Sequence, residues 1–280
     1  MAAIALSCAD QAEHLPKPLQ KTSEASRDSI INEHLVNGAW KMPLYSQERL
    51  REIDKALAKD STIAYLWQQR SMPLLKQGKY EIAMPYVDQA VKYDPDRWQD
   101  YRAYVKCIFA KTYRSAIKDF LECKARYGNQ IVMDHTYNFY IGLSYLQLDE
   151  FEKAQTYFQA DYDSIMAADR ANWLHHLDLF YYGISAFELG NNEEALNIFD
   201  QALELYPTFS DVQFYQARCY AKLGEKDSAE VLFFRAKENA SLGYTINEDG
   251  AVYERYPYQV RWPLPLQAIM AYYKSKEEPV

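Results

Sequence analysis

Apolar positions recur at helical spacing along most of this chain, and the recurrences come in pairs. In residues 46–60, SQERLREIDKALAKD, Leu50, Ile53 and Leu57 fall on one face at i, i+3 and i+7, as in a helix with one buried stripe. Ser46 can cap that helix, and Glu48 stands in its first turn, where an acidic side chain suits the helix dipole. Further on, HLDLFYYGISAFELGNNEEALNIFDQALELYPTF (176–209) and SDVQFYQARCYAKLGEKDSAEVLFFRAKENASLG (210–243) run back to back, each 34 residues long. Superposed, they pair Gly190 with Gly224, Ala195 with Ala229, Phe199 with Phe233 and Ala202 with Ala236. Small residues at fixed places in a period of this length predict stacked helical hairpins.

The frame runs backwards through the chain. Residues 64–97 carry Trp67, Gly78, Tyr80, Ala83, Ala90 and Pro95 in the packing and turn positions. Residues 98–131 carry Tyr101, Tyr104, Ala116, Phe120 and Cys123, and residues 135–168 carry Gly142, Tyr145, Phe151, Ala154 and Phe158. Residues 30–63 are a degenerate copy in which Ile53 and Ala56 hold their places, as expected of a unit with solvent on one side. The pattern, with Gly183, Gly190, Ala195, Phe199, Ala202 and Pro207 in its clearest copy, resembles the tetratricopeptide repeat. That resemblance implies an all-α, right-handed α-solenoid of about six helical hairpins over 30–243, a non-catalytic scaffold that binds proteins. Three irregularities stand out. Pro73 and Pro85 fall inside helices and should bend them, the third copy has no glycine at its turn, and residues 169–175 are inserted. The insertion is expected to lengthen the first helix of the next hairpin, with Asp169 as its cap.

The ends lie outside the period. Ala5-Leu6-Ser7-Cys8 resembles the end of a bacterial lipoprotein signal, which would make Cys8 a lipidation site, although no basic stretch precedes the short apolar run. Residues 9–29 are polar, contain Pro16 and Pro18, and read as a flexible tether. After Gly243 comes an aromatic stretch, YERYPYQVRW, and then 264–274, where Leu266, Met270 and Tyr273 share a helical face. The simpler reading makes 244–280 a C-terminal extension with a helix that caps the last hairpin. The other folds it back along the array or docks it on another protein.

Composition narrows the function. A formal net charge of -8 excludes the basic footprint that a nucleic-acid partner requires. Four cysteines (Cys8, Cys107, Cys123, Cys219) and five histidines show no metal-ligand spacing, so no metal and no cofactor are expected. No nucleophile elbow, phosphate loop or dinucleotide fingerprint occurs, and no catalytic residues are assigned. In the tetratricopeptide family the first helix of each hairpin lines a groove. Carried over, its positions give Tyr65, Met72 and Leu75, then Arg102, Lys106 and Phe109, then Phe139, Leu143 and Leu146. The last two copies give Phe180, Ile184 and Phe187, and Phe214, Arg218 and Lys222. Such an apolar strip suits an apolar or amphipathic segment of a protein partner; alternatively these aromatics pack internally as core. The leading expectation is a lipid-anchored scaffold in a multi-protein assembly or secretion complex of a bacterial envelope, an outer-membrane lipoprotein. A cytoplasmic adaptor and an accessory subunit of an enzyme are the alternatives.

Overall fold

The computed structural model describes residues 23–168 and 173–262. The chain divides into two compact units, residues 1–126 and 127–280. Both are built from antiparallel helix pairs, so the fold is the all-α repeat array that the period predicts. Cys8, Asp169 and the 264–274 segment lie outside the described residues. Among the described residues, no helix is long and apolar enough to cross a membrane.

The first unit opens with α1 (Glu24–Ile31), a π-helical turn (Asn32–Val36) and a 3-10 turn (Ala39–Lys41), followed by α2 (Gln47–Lys59). Residues 24–29, expected to belong to the tether, are therefore helical. Ser23 caps α1 by accepting from Ser26 N–H at 3.3 Å, and the Arg27 guanidinium donates to Thr62 at 2.6 Å. The Arg49 guanidinium, buried with its residue only 6% exposed, donates to the Ala39 carbonyl at 3.0 Å and so closes the 3-10 turn. Next come α3 (Ala64–Leu75) with α4 (Tyr80–Tyr93), and α5 (Pro95–Ile108) with α6 (Tyr113–Tyr127). Both interior prolines sit in helices that continue through them, Pro73 in the last turn of α3 and Pro85 in α4. Trp67 fills the core and donates its indole N–H to the Ser61 carbonyl at 2.7 Å. The glycine-free turn of the third hairpin is made by Lys111, which takes a left-handed φ of 55°.

The second unit begins with a two-residue antiparallel ribbon, β1 (Ile131–Val132) and β2 (His135–Thr136). Then follow α7 (Tyr137–Leu146) with α8 (Phe151–Ala167), α9 (His176–Glu188) with α10 (Asn192–Leu205), and α11 (Ser210–Leu223) with α12 (Lys226–Ser241). The inserted residues do not lengthen α9, which starts at His176 with His175 as its cap, accepting from Leu177 N–H at 3.3 Å. Within the α7–α8 and α9–α10 pairs a glycine of the first helix faces a phenylalanine of the second, Gly142 against Phe158 and Gly183 against Phe199. Both rings are buried. The last helix is less covered: Val231, Phe234 and Leu242 of the α12 region stand open to solvent. Cys107, Cys123 and Cys219 are buried thiols outside any disulfide, small packing groups as their spacing implied.

Candidate functional site

Residues 244–262 do not extend away from the array. They pass over the first helices of the second unit as an irregular strap, with a short 3-10 turn at Asp249–Val252 and a tight turn at Pro257–Tyr258, where Tyr258 takes a left-handed φ of 59°. The strap is anchored near its start, where Ser210 N–H at the head of α11 donates to the Tyr244 carbonyl at 2.8 Å. Thr245 Oγ1 and the Val260 N–H each donate to the Asp211 carboxylate at 2.6 Å. Midway, the Tyr181 hydroxyl donates to the Pro257 carbonyl at 2.8 Å and the Tyr215 hydroxyl to the Tyr258 carbonyl at 3.3 Å. The strap gives back Ile246 and Tyr256, both 4% exposed, as core. Its end, Trp262, packs its ring 5.6 Å from Phe214 and 5.5 Å from Phe233.

Tyr181 and Tyr215 stand 34 residues apart, in the same place of successive copies. Tyr140 occupies that place in the copy before them, and its hydroxyl donates to the Val132 carbonyl at 3.3 Å. Tyr181 and Tyr215 also receive rings from the preceding hairpin. Phe139 lies 5.6 Å from Tyr181, and Phe180 and Phe187 lie 5.8 Å and 5.6 Å from Tyr215. This geometry relocates much of the expected apolar strip. Phe139, Leu143, Leu146, Phe180, Ile184 and Phe187 are at most 1% exposed, because they pack against the next hairpin instead of facing a groove. Leu75 and Phe109 are also buried. Tyr65 and Met72 are half-buried, with Tyr65 stacked on Trp98 at 6.1 Å.

The basic groove positions divide by unit. Arg102 forms a paired hydrogen bond to Asp119 of α6 at 2.8 Å, and Lys106 reaches the same carboxylate at 2.7 Å. Arg102 also reaches Asp88 of α4 at 3.0 Å, so both basic residues are engaged by carboxylates of the first unit. Arg218 and Lys222 are exposed and lie 4.6 Å and 3.8 Å from the Phe187 ring centre, within cation–π range. Phe214 is half-buried under Trp262. The face that residues 244–262 occupy thus presents the Tyr181 and Tyr215 hydroxyls and the Asp211 carboxylate. A repeated tyrosine at the sixth place of three copies was the sequence signal for it.

At the head of this face the structure gathers a cluster that spacing concealed. His135 Nδ1 is 2.7 Å from Asp178 Oδ1, and its Nε2 is 3.6 Å from the Glu248 carboxylate of the strap. His175 Nδ1 lies 3.9 Å from the other Glu248 oxygen. Burial disfavours a charged His135 ring, but Asp178 and then Glu248 outweigh it and hold its pKa at about 10. Burial pushes Glu248 upward, and the three histidines together bring it below the usual carboxylate value. His176, which faces Asn247 of the strap at 3.3 Å, is pushed down to about 4 by burial and by His175. Burial raises Asp211 despite the donors that surround it.

The hairpins, their glycine–phenylalanine contacts and the occupied inner face define the class: an all-α helical-repeat protein. Two profiles described as tetratricopeptide repeat match it, at residues 64–97 and 186–241. It is a protein of tetratricopeptide repeats. Among solved structures, a tetratricopeptide repeat protein from Parabacteroides merdae ATCC 43184 superposes with a TM-score of 0.60 at 15% identity, covering 77% of this chain and 80% of that one. PilW, described as a widely conserved type IV pilus biogenesis factor, gives 0.58 at 14% identity, with 80% and 96% covered. MamA from Desulfovibrio magneticus RS-1, residues 41 to the end, gives 0.53 at 15%, with 64% and 96% covered. At these identities the likeness is one of fold. No curated protein matches the chain significantly.

Proposed function

We propose that the chain is a non-catalytic scaffold that binds a short, turn-forming segment of a protein partner along the first helices of its second unit. The observation that carries this is the strap. Two tyrosine hydroxyls one repeat apart bond its carbonyls at Pro257 and Tyr258, and Asp211 takes a main-chain N–H from Val260. Contacts to the main chain read a backbone conformation, here the turn at Pro257–Tyr258, and not one particular side-chain order. A partner segment of similar make, aromatic with a proline, would displace residues 244–262 and use the same groups. Arg218 and Lys222, exposed beside Phe187, favour acidic residues next to the aromatic ones.

We place this scaffold in a bacterial envelope complex, held to the membrane by lipid on Cys8. The support is the Ala5-Leu6-Ser7-Cys8 motif and the polar stretch that follows it. PilW, a type IV pilus biogenesis factor of the same fold, offers a precedent for such work. Two experiments test the two statements separately. A photo-crosslinking residue in place of Arg218 should trap one discrete partner in native cells, and the same probe at Lys118, exposed on the first unit, should not. Equal crosslinking at both would refute the assigned face. Growth with a fatty-acid analogue should label the full-length gene product but not its Cys8→Ala variant; no label would favour the unanchored adaptor.

A further inference from the structure

We propose that His135, His175 and Glu248 bind a divalent transition-metal ion such as Zn²⁺, with Asp178 holding His135 in its ligating orientation. Ligand-capable atoms of His135, His175 and Asp178 lie within 4.8 Å of one another. Glu248 closes the group, its oxygens 3.6 Å from His135 Nε2 and 3.9 Å from His175 Nδ1, which would give up the Leu177 N–H it accepts at 3.3 Å in order to bind an ion. Both Glu248 separations exceed a hydrogen bond. They approach the ~3.3 Å between neighbouring ligands of a tetrahedral zinc with bonds of ~2.0 Å.

An independent observation comes from His135 itself. The residue is 3% exposed, and its Nε2 makes no hydrogen bond within 3.5 Å, facing only the Glu248 carboxylate at 3.6 Å. Its other nitrogen is engaged by Asp178 at 2.7 Å. A carboxylate on one ring nitrogen, with the second nitrogen aimed into a cluster of ligands, is the arrangement that orients metal-binding histidines. The local charge agrees, since Asp134 and Asp161 add their fields to those of Asp178 and Glu248. Imidazole nitrogen combined with carboxylate oxygen suits zinc and its neighbours over magnesium or calcium. The His175 side chain, 40% exposed, gives an ion its way in.

The donors come from β2, from the start of α9 and from the strap. A bound ion would therefore pin the strap to the repeats at one end. The site needs no partner, so it stands or falls separately from the scaffold reading. Calorimetric titration of Zn²⁺ into metal-stripped, tag-free, full-length protein should show one equivalent bound with micromolar or tighter affinity. His175→Asn and Glu248→Gln should each weaken binding at least ~10-fold, and Asp178→Asn by ~10- to 100-fold. His175→Asn, which removes the imidazole but keeps a side chain able to cap α9, is the decisive variant, and its metal-free circular dichroism should match the parent. Co²⁺ in place of Zn²⁺ should give the visible absorption of a tetrahedral nitrogen–oxygen site. Absence of saturable Zn²⁺ binding, or affinity equal to the parent's in His175→Asn and Glu248→Gln, would leave the cluster a plain buried ion network and overturn the proposal.

Discussion

A Cβ added to Gly183 would stand 2.4 Å from Cε1 of Phe199, and one added to Gly142 would stand 2.9 Å from two carbons of the Phe158 ring. Neither ring has free space to move into, since Phe199 is 0% and Phe158 3% exposed. These glycines let two helices of a hairpin touch through a ring, a role that needs no unusual backbone angle. Alanine would improve helix propensity by up to ~1 kcal/mol, whereas overpacking costs ~1–3 kcal/mol. Gly183→Ala should therefore lower stability by about 1–2 kcal/mol, read as a lower urea midpoint with unchanged slope. A raised midpoint would show that the Phe199 ring yields freely. Such contacts were legible in the sequence because both partners recur with the period. The apolar character of Phe139, Phe180 and Phe187 was equally legible, but the side they face was not. A helix position names a direction, and whether a neighbouring hairpin or solvent lies there depends on how successive hairpins are stacked.

At the level of elements, the regular hairpins were readable from period, and the irregular pieces were not. α1 buries one apolar residue, Ile30, and is held by Arg27 bonding Thr62 and pairing with the fully buried Asp60 at 3.5 Å. A polar contact between residues some thirty positions apart leaves no hydrophobic pattern. α9 starts after the insertion because His175 caps it, a role for which histidine is an uncommon choice. The strap escaped periodicity altogether: it is irregular, and its anchors belong to other elements. Asp211 carries two of those anchors, so Asp211→Ala should loosen residues 244–262 before it unfolds the hairpins. Hydrogen exchange should speed at the Val260 amide and its neighbours, while amides in the middle of α9 keep their protection. Uniform acceleration across both would mean that strap and hairpins open as one unit.

For the molecule as a whole, the buried titratable groups set a common direction at alkaline pH. Asp178 and Glu248 keep the His135 pKa at about 10, against 6.5 for an ordinary histidine. Burial lifts Cys123 and Cys219 to about 11 and Tyr215 to about 12. In each case the folded value lies above the unfolded one. The stability contributed is then complete below the unfolded pKa and lost as pH rises through the folded one. For His135 the loss spans pH 6.5 to about 10, and for the thiols it spans 9.0 to about 11. Metal-free protein should melt at progressively lower temperature from pH 7 to pH 11, beginning before any thiol titrates. A His135→Gln variant should keep the later fall and lose the earlier one. A melting temperature that holds level to pH 9 would contradict the charge state assigned to His135.

The strap also bears on rates and concentrations. A segment joined to the site it fills is present there at an effective concentration in the millimolar range for a short connection. An incoming ligand must outcompete it, and its apparent dissociation constant is the intrinsic one divided by the fraction of molecules already open. If one molecule in ~100 is open, binding looks ~100-fold weaker than the face itself allows. Association would then level off at high ligand concentration, at the rate with which residues 244–262 lift away. Weak, saturating association by the intact chain would thus reflect its own tail in the seat, and would say little about how well that seat fits its partner.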